Sequence, residues 1–182
     1  MTNVDLARFQ FAWTSVNHFF FVPVTIGLAL LTALLQTWWY RNKNPDLLRL
    51  TRFFGTLLLI SVAVGVVTGL VQEFEFGMNW GAYSRLVGNV FGPPLAMEGL
   101  AAFFLESTFL GLWVFGWDKL TRRVHLLCIW LVAAGSMLSA AFILAANSWM
   151  QHPVGYKMEG GKPQLDNIVA VFTNPVFLWG YG

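Results

Sequence analysis

The sequence predicts an all-α membrane protein, and three observations lead to this prediction. Of its 182 residues, 57% are hydrophobic and only 11% are charged. The hydrophobic residues form long blocks instead of the short alternations of a soluble domain. Short connectors that contain basic residues separate these blocks. We therefore expect a single transmembrane domain over residues 1–182: a polytopic helix bundle with four full spans, the start of a fifth and a short N-terminal interfacial helix.

The first two helices are predicted from the N-terminal part of the sequence. Residues 2–14 are moderately amphipathic, which is typical of a short helix that lies in the membrane interface. Residues 17–39 form the first span, with His18 near its start and Pro23 about one turn further on. A proline inside a span leaves backbone groups that neighbouring helices or a ligand must satisfy.

Three apolar segments further along are also long enough to cross the membrane, at residues 53–71, 93–117 and 125–147. The second span carries glycines that allow close contact between helices, namely Gly55, Gly65 and Gly69. The single cysteine, Cys128, lies in an apolar run and is expected to be a small packing residue.

A fifth apolar segment begins near residue 168, after a loop at residues 148–166. It is interrupted by Asn174 and Pro175, and it is too short to cross the membrane after this interruption. We therefore expect the chain to be the N-terminal portion of a longer subunit, or one piece of a split one.

The basic residues of the connectors predict the orientation. The connectors at residues 40–52 and 118–123 carry four and three Lys or Arg, whereas those at residues 72–92 and 148–166 carry one and two. By the positive-inside rule the first pair is cytoplasmic, which puts the N-terminus outside. The net charge of +2, without a basic stripe, argues against nucleic acid as a partner.

Two carboxylates inside one predicted span point to a functional site. Glu98 and Glu106 both lie within residues 92–111, although an acidic residue at the centre of a span costs about 2.5–3.5 kcal/mol on insertion scales. The predicted topology puts Glu98 near the outer surface together with His18. The polar residues at the end of the fourth span are expected at the same depth, namely Asn147, Trp149 and Gln151.

Glu106 is predicted to lie deeper than Glu98. Eight residues of α-helix correspond to roughly 12 Å along the axis and about 80° around it. Ser139 is expected at the depth of Glu106, and Ser107 adjoins it in sequence. A carboxyl group with hydroxyl neighbours suits a proton relay, because a dehydrated carboxyl can alternate between its charged and neutral forms.

Each of these groups also has a purely structural explanation. A histidine at a helix start can hydrogen-bond at the interface, Glu98 can extend to the surface, and serines mediate helix packing. His125, beside two arginines at the predicted inner surface, is expected to be interfacial. The residues alone fit a haem-based redox enzyme, a proton-coupled transporter or channel that uses Glu98 and Glu106, or a non-catalytic membrane scaffold.

The chain resembles subunit I of the cytochrome bd-type quinol oxidases. The resemblance covers essentially the whole sequence, in order. It includes RFQFAWTSVNHFFFVPVTIGLA, TGLVQEFEFGMNWGAYSRLVGNVFGPPLAMEGLAAFFLESTFLGLWVFGWDKL, and GSMLSAAFILAANSWMQHPVG followed by TNPV. These segments are long, and so they are far more specific than a single short motif.

The resemblance implies a respiratory enzyme that oxidises quinol outside and reduces dioxygen to water at a haem b/haem d centre near the outer membrane face. Two haems b and one haem d are implied in all. His18 matches an axial ligand of a haem in the oxygen-reducing centre, either the high-spin haem b or haem d, and Glu98 matches a second ligand of that centre. Arg8 is a candidate partner of haem propionates, because a guanidinium group suits a carboxylate. The path for cytoplasmic protons is matched by Glu106, Ser107 and Ser139.

The resemblance also implies what this chain lacks. The family's subunit is longer, and its low-spin haem ligands and quinol-binding loop are expected after Gly182. This chain alone is therefore expected to be inactive. The implied partners are the remainder of subunit I, subunit II, small accessory subunits, quinol, dioxygen and membrane lipid. The implied location is a bacterial or archaeal inner membrane, which the chain crosses several times.

Overall fold

The computed structural model describes residues 2–181, and it confirms the predicted all-α, multi-span fold. Within these residues, four helical stretches are long and apolar enough to cross a membrane. They are Asn3–Asn42, Pro45–Gly77, Gly81–Phe115 and Arg122–Gln151.

Helix α1 (Asn3–Asn42) is one continuous helix. Thr2 caps its N-terminus, since the Thr2 hydroxyl accepts a hydrogen bond from the backbone of Asp5, whose carboxylate accepts one in return. The predicted interfacial helix at residues 2–14 is therefore not a separate element but forms the first turns of α1. The polar side chains between the two predicted helices do not end α1, and Asn17 donates to the Trp13 carbonyl one turn earlier on the same helix.

The second and third spans are longer than predicted. Helix α2 (Pro45–Gly77) and helix α3 (Gly81–Met97) occupy most of the expected connector at residues 72–92. That prediction was wrong in extent because it took polarity as the sign of a loop, whereas polar side chains here lie on helices.

A π-helical segment, Glu98–Phe103, separates α3 from helix α4 (Phe104–Phe115). Such segments are rare and often occur at functional sites. The estimates of 12 Å and 80° between the two glutamates assumed uniform α-helix, and this assumption does not hold over the π-helical segment.

The C-terminal part begins with helix α5 (Arg122–Gln151), which is followed by an antiparallel hairpin of β1 (Tyr156–Glu159) and β2 (Lys162–Leu165). Gly160 and Gly161 form the two-residue turn, and both have positive φ angles (57° and 77°), which suits glycine in a hairpin turn.

Ion pairs stabilise the exposed hairpin. The Lys157 amine lies 3.0 Å from the Glu159 carboxylate and 3.7 Å from that of Asp166. The hydrogen bond and negative charge of Glu159, with a further contribution from Asp166, raise the pKa of Lys157 above its usual value. These interactions thus favour the charged form of the amine.

The fifth apolar segment forms two short helices, α6 (Ile168–Phe172) and α7 (Pro175–Tyr181). The predicted interruption at Asn174 and Pro175 is confirmed. The buried amide of Asn174 donates to the backbone carbonyl of His152 at 2.8 Å, which ties this interruption to the residues after α5.

The described residues form two compact units. The first comprises the chain up to Phe74 together with Phe104–Met137, and the second comprises Glu75–Phe103 together with the chain from Leu138. The core of the first unit includes Cys128, which is 1% exposed, as the packing prediction requires. The second unit has its own core, formed by Val90, Ala145, Trp149, Val171 and Phe177.

Candidate functional site

His18 is half-buried on α1, and its ring faces α2 in the first unit. Its Nδ1 lies 3.1 Å from the Gly65 carbonyl oxygen and 3.2 Å from the Thr68 hydroxyl. The carbonyl can only accept, and the Thr68 hydroxyl can donate to the Val64 carbonyl at 2.9 Å. Nδ1 is therefore the protonated nitrogen, and Nε2 keeps its lone pair.

Gly69 makes room for the His18 ring. A Cβ atom at position 69 would lie 2.8 Å from Cε1 of His18, which is closer than real Cβ atoms approach other atoms. The predicted role of the α2 glycines in close helix contact is also confirmed at Gly55, where a Cβ would lie 2.1 Å from the Trp113 ring. Each of these two glycines thus accommodates a ring from another helix.

Glu106 is 9% exposed in the first turn of α4, and it contacts α5 in the same unit. The Ser136 hydroxyl donates to Oε1 of Glu106 at 2.6 Å. Gly135 permits this approach, because a Cβ there would lie 3.1 Å from the Cβ of Glu106. The two helices are therefore in close contact at the buried carboxylate.

Glu98 has a serine partner of its own in the second unit. The hydroxyl of Ser139 donates to Oε1 of the half-buried Glu98 at 2.7 Å. Ser139, which was expected at the depth of Glu106, thus hydrogen-bonds to Glu98, and Ser136 supplies a hydroxyl at Glu106. Sequence reasoning missed Ser136, although residues three apart on a helix share a face and the spacing to Ser139 could have revealed it.

The remaining predicted groups are exposed, except for Trp149. Ser107 is exposed, and its hydroxyl donates to the Phe104 carbonyl of its own helix at 3.3 Å. Arg8 is exposed on α1. Asn147 and Gln151 are exposed and hydrogen-bond to each other along α5. Trp149, between them in sequence, is buried in the core of the second unit.

His125, which was predicted to be interfacial, is 4% exposed, so other residues of the chain enclose it. Its Nε2 lies 2.8 Å from the Trp113 carbonyl oxygen, and its Nδ1 lies 2.8 Å from the side-chain nitrogen of Gln36. The prediction did not include this burial, because it considered only the arginines next to His125 in the sequence. The sequence feature that could have indicated a buried polar contact was Gln36, a polar residue within a long apolar run.

Glu75 is a further buried carboxylate that sequence reasoning missed. It is 3% exposed near the C-terminal end of α2. Sequence reasoning missed it because it was assigned to a connector, where an exposed carboxylate is expected. The structure places it on α2, which extends to Gly77.

Comparisons with known proteins agree on one family. The family model described as cytochrome bd terminal oxidase subunit I matches residues 6–182. The cytochrome bd ubiquinol oxidase subunit 1 of Bacillus subtilis (strain 168) is 52% identical over 179 residues, which are 98% of this chain and 38% of that protein. The cytochrome bd-II ubiquinol oxidase subunit 1 of Escherichia coli (strain K12) is 49% identical over 175 residues, 95% of this chain and 34% of that one.

A solved structure gives the same result. The structure of bd oxidase from Geobacillus thermodenitrificans matches with a TM-score of 0.88 at 31% identity, over 98% of this chain and 41% of the matched chain. The chain thus spans between 34% and 41% of the length of these three relatives.

Proposed function

Because the chain belongs to the cytochrome bd terminal oxidase subunit I family, we propose that it forms part of the oxygen-reducing centre of a respiratory quinol oxidase. The complete enzyme would oxidise quinol and reduce dioxygen to water. Its partners would be the rest of subunit I, subunit II and small accessory subunits, in a bacterial or archaeal inner membrane with the N-terminus outside. The family assignment favours this function over the proton-coupled transporter that the residues alone also allowed.

The geometry of His18 is the observation that carries the proposal. Metal-ligating histidines usually donate the hydrogen of the other ring nitrogen to a carbonyl or carboxylate, which fixes the tautomer and the ring orientation. His18 meets this requirement through Nδ1 and the Gly65 carbonyl, so Nε2 is available as a ligand. Imidazole is a common axial ligand of haem iron. The residues present therefore fit a haem.

The two glutamates receive different roles in this proposal. Glu98, oriented by Ser139, is the second protein ligand of the centre. Glu106, oriented by Ser136, holds a proton taken from the cytoplasm. Ser107 and Ser139 are further members of the proton path. Ser139 is therefore both a member of this path and the hydrogen-bond partner of the proposed ligand Glu98.

The bound groups would be two haems b and one haem d, which together supply oxygen binding and electron transfer. His18 would bind the high-spin haem b or haem d. Arg8, at the exposed start of α1, is free to reach a propionate. The ligands of the low-spin haem b would come from the rest of the subunit.

The test is a reduced-minus-oxidised absorption spectrum of the full-length oxidase with His18→Ala. We expect the variant to lose a high-spin haem signal, because the ligand nitrogen is gone. His152→Ala is the matched control, since His152 is exposed and only its backbone carbonyl contacts Asn174. The proposal fails if the unaltered oxidase shows no haem band, or if His18→Ala and His152→Ala both retain the complete spectrum.

A further inference from the structure

His125, Gln36 and Trp113 form a closed ring of hydrogen bonds in the first unit. Nε2 of His125 donates to the Trp113 carbonyl at 2.8 Å, because a carbonyl oxygen can only accept. The Gln36 amide nitrogen then donates to Nδ1 of His125 at 2.8 Å. The Trp113 indole nitrogen donates to Oε1 of Gln36 at 2.6 Å and closes the ring. The three residues belong to α5, α1 and α4, so the ring joins three helices.

This ring secures the end of α4. Trp113 lies in the last turn of α4, where backbone carbonyls have no partner within the helix. His125 supplies that partner in a buried setting, and the Trp117 ring packs against it with ring centroids 4.3 Å apart. Gln36, Trp113 and His125 are 0%, 3% and 4% exposed. A buried polar network whose members all have partners makes the surrounding structure rigid.

Fixing the end of α4 also fixes Glu106. Trp113 and Glu106 are seven residues apart, about two turns, so they lie on the same face of a helix of only 12 residues. His125 and Ser136 are eleven residues apart on α5, about three turns, and they also share a face. Helix α5 therefore binds α4 at both ends, through the Trp113 carbonyl at one and the Glu106 carboxylate at the other.

We propose that His125, Gln36 and Trp113 are positioning residues that hold Glu106 against Ser136. The inference depends on the proposed function, in which Glu106 carries a proton. Apolar side chains could fill the same volume, but they would not fix the rotation and axial position of α4 as directed hydrogen bonds do. Loss of the ring lets α4 shift against α5, and this shift changes the proton-transfer distance at Glu106.

The test compares His125→Leu with His125→Gln in the full-length oxidase. Leucine removes both hydrogen bonds, whereas glutamine keeps an N–H for the Trp113 carbonyl and an oxygen for Gln36. We expect His125→Leu to slow quinol-driven oxygen reduction at least about tenfold, since a displacement of about 1 Å can cost a reaction about 100-fold. His125→Gln should retain most of the rate, and both variants should keep the haem spectrum.

A second experiment, in the Glu106→Gln variant, distinguishes a positioning role from a general structural role. In Glu106→Gln, the added His125→Leu should slow the reaction little further, because the group that it positions has lost its proton-carrying function. Full rate in His125→Leu, or multiplied losses in the double variant, would overturn the proposal. If His125→Leu does not assemble, the test uses Gln36→Met instead, with the exposed Gln151→Met as its control. Equal rates in these two variants would overturn the proposal. Absence of haem from the unaltered oxidase would refute the proposed function instead.

Discussion

Replacing Gly69 by alanine in the full-length oxidase should displace the His18 ring. The new Cβ would lie 2.8 Å from Cε1, 3.3 Å from Nδ1 and 3.5 Å from Nε2 of His18. Ordinary contact begins at 3.4 Å, so the ring has to move by about 0.6 Å to relieve the closest approach. A movement of this size along the bond from Nδ1 to the Gly65 carbonyl would stretch it from 3.1 Å to beyond hydrogen-bonding distance.

The expected result is a shifted or weakened high-spin haem signal. The ring would lose the hydrogen bond that fixes its orientation and therefore present Nε2 less well to an iron atom. The measurement is the reduced-minus-oxidised spectrum of membranes, scaled to the amount of subunit by immunoblot. This scaling separates a change in haem binding from a change in protein level.

Gly65→Ala is the matched control for Gly69→Ala. Gly65 lies one turn earlier on α2, and a Cβ there would meet only the Cβ of Phe21, at 4.0 Å. Both substitutions raise helix propensity by the same amount, about 0.5–1 kcal/mol. Only the variant at position 69 should therefore change the spectrum. Equal spectra for the two variants would refute the argument that Gly69 accommodates a haem-ligating ring.

The remaining predictions concern the two carboxylates and one helix contact. Ser136→Ala should slow oxygen reduction several-fold with an unchanged haem spectrum, because Glu106 loses its donor at 2.6 Å; an oxygen electrode measures this rate. Glu106→Gln should also slow the reaction and leave haem content intact, and parallel loss of haem would argue against a relay role. Ser139→Ala should instead alter the spectrum, since its hydroxyl orients Glu98, and a normal spectrum would count against ligation by Glu98. Gly55→Ala should lower the Tm of the purified oxidase, since overpacking costs about 1–3 kcal/mol; an unchanged Tm would show that the Trp113 ring moves aside freely.

The features that depend on composition over a whole segment were predictable from the sequence. Long apolar blocks predicted the four spans, because a helix in lipid must satisfy its own backbone and remain apolar outside. The glycines of α2 predicted close helix contacts, because a residue without a side chain leaves space for a neighbouring helix. The rings of His18 and Trp113 occupy the space beside Gly69 and Gly55. The family resemblance, carried by long segments, agrees with the family model that matches residues 6–182.

Features that depend on the register between helices were not predictable in the same way. The depth of Glu106 relative to Glu98 was counted along ideal α-helix, but the segment that begins at Glu98 is π-helical. The hydrophobic pattern carries no signal for such a segment. His125 was assigned from its neighbours in sequence, whereas its partner Gln36 lies 89 positions away in the chain. Contacts of this kind follow from tertiary packing.

The partners of the two glutamates bear on what these glutamates can do. A lysine or arginine beside a buried carboxylate forms an ion pair, and such a pair favours one charge state. A serine hydroxyl can donate to a carboxylate and can also accept from a protonated carboxyl group. Ser136 therefore allows Glu106 to keep a hydrogen-bonded partner with or without its proton, as a relay requires. The same hydroxyl chemistry allows Ser139 to donate to the Glu98 carboxylate, at 2.7 Å.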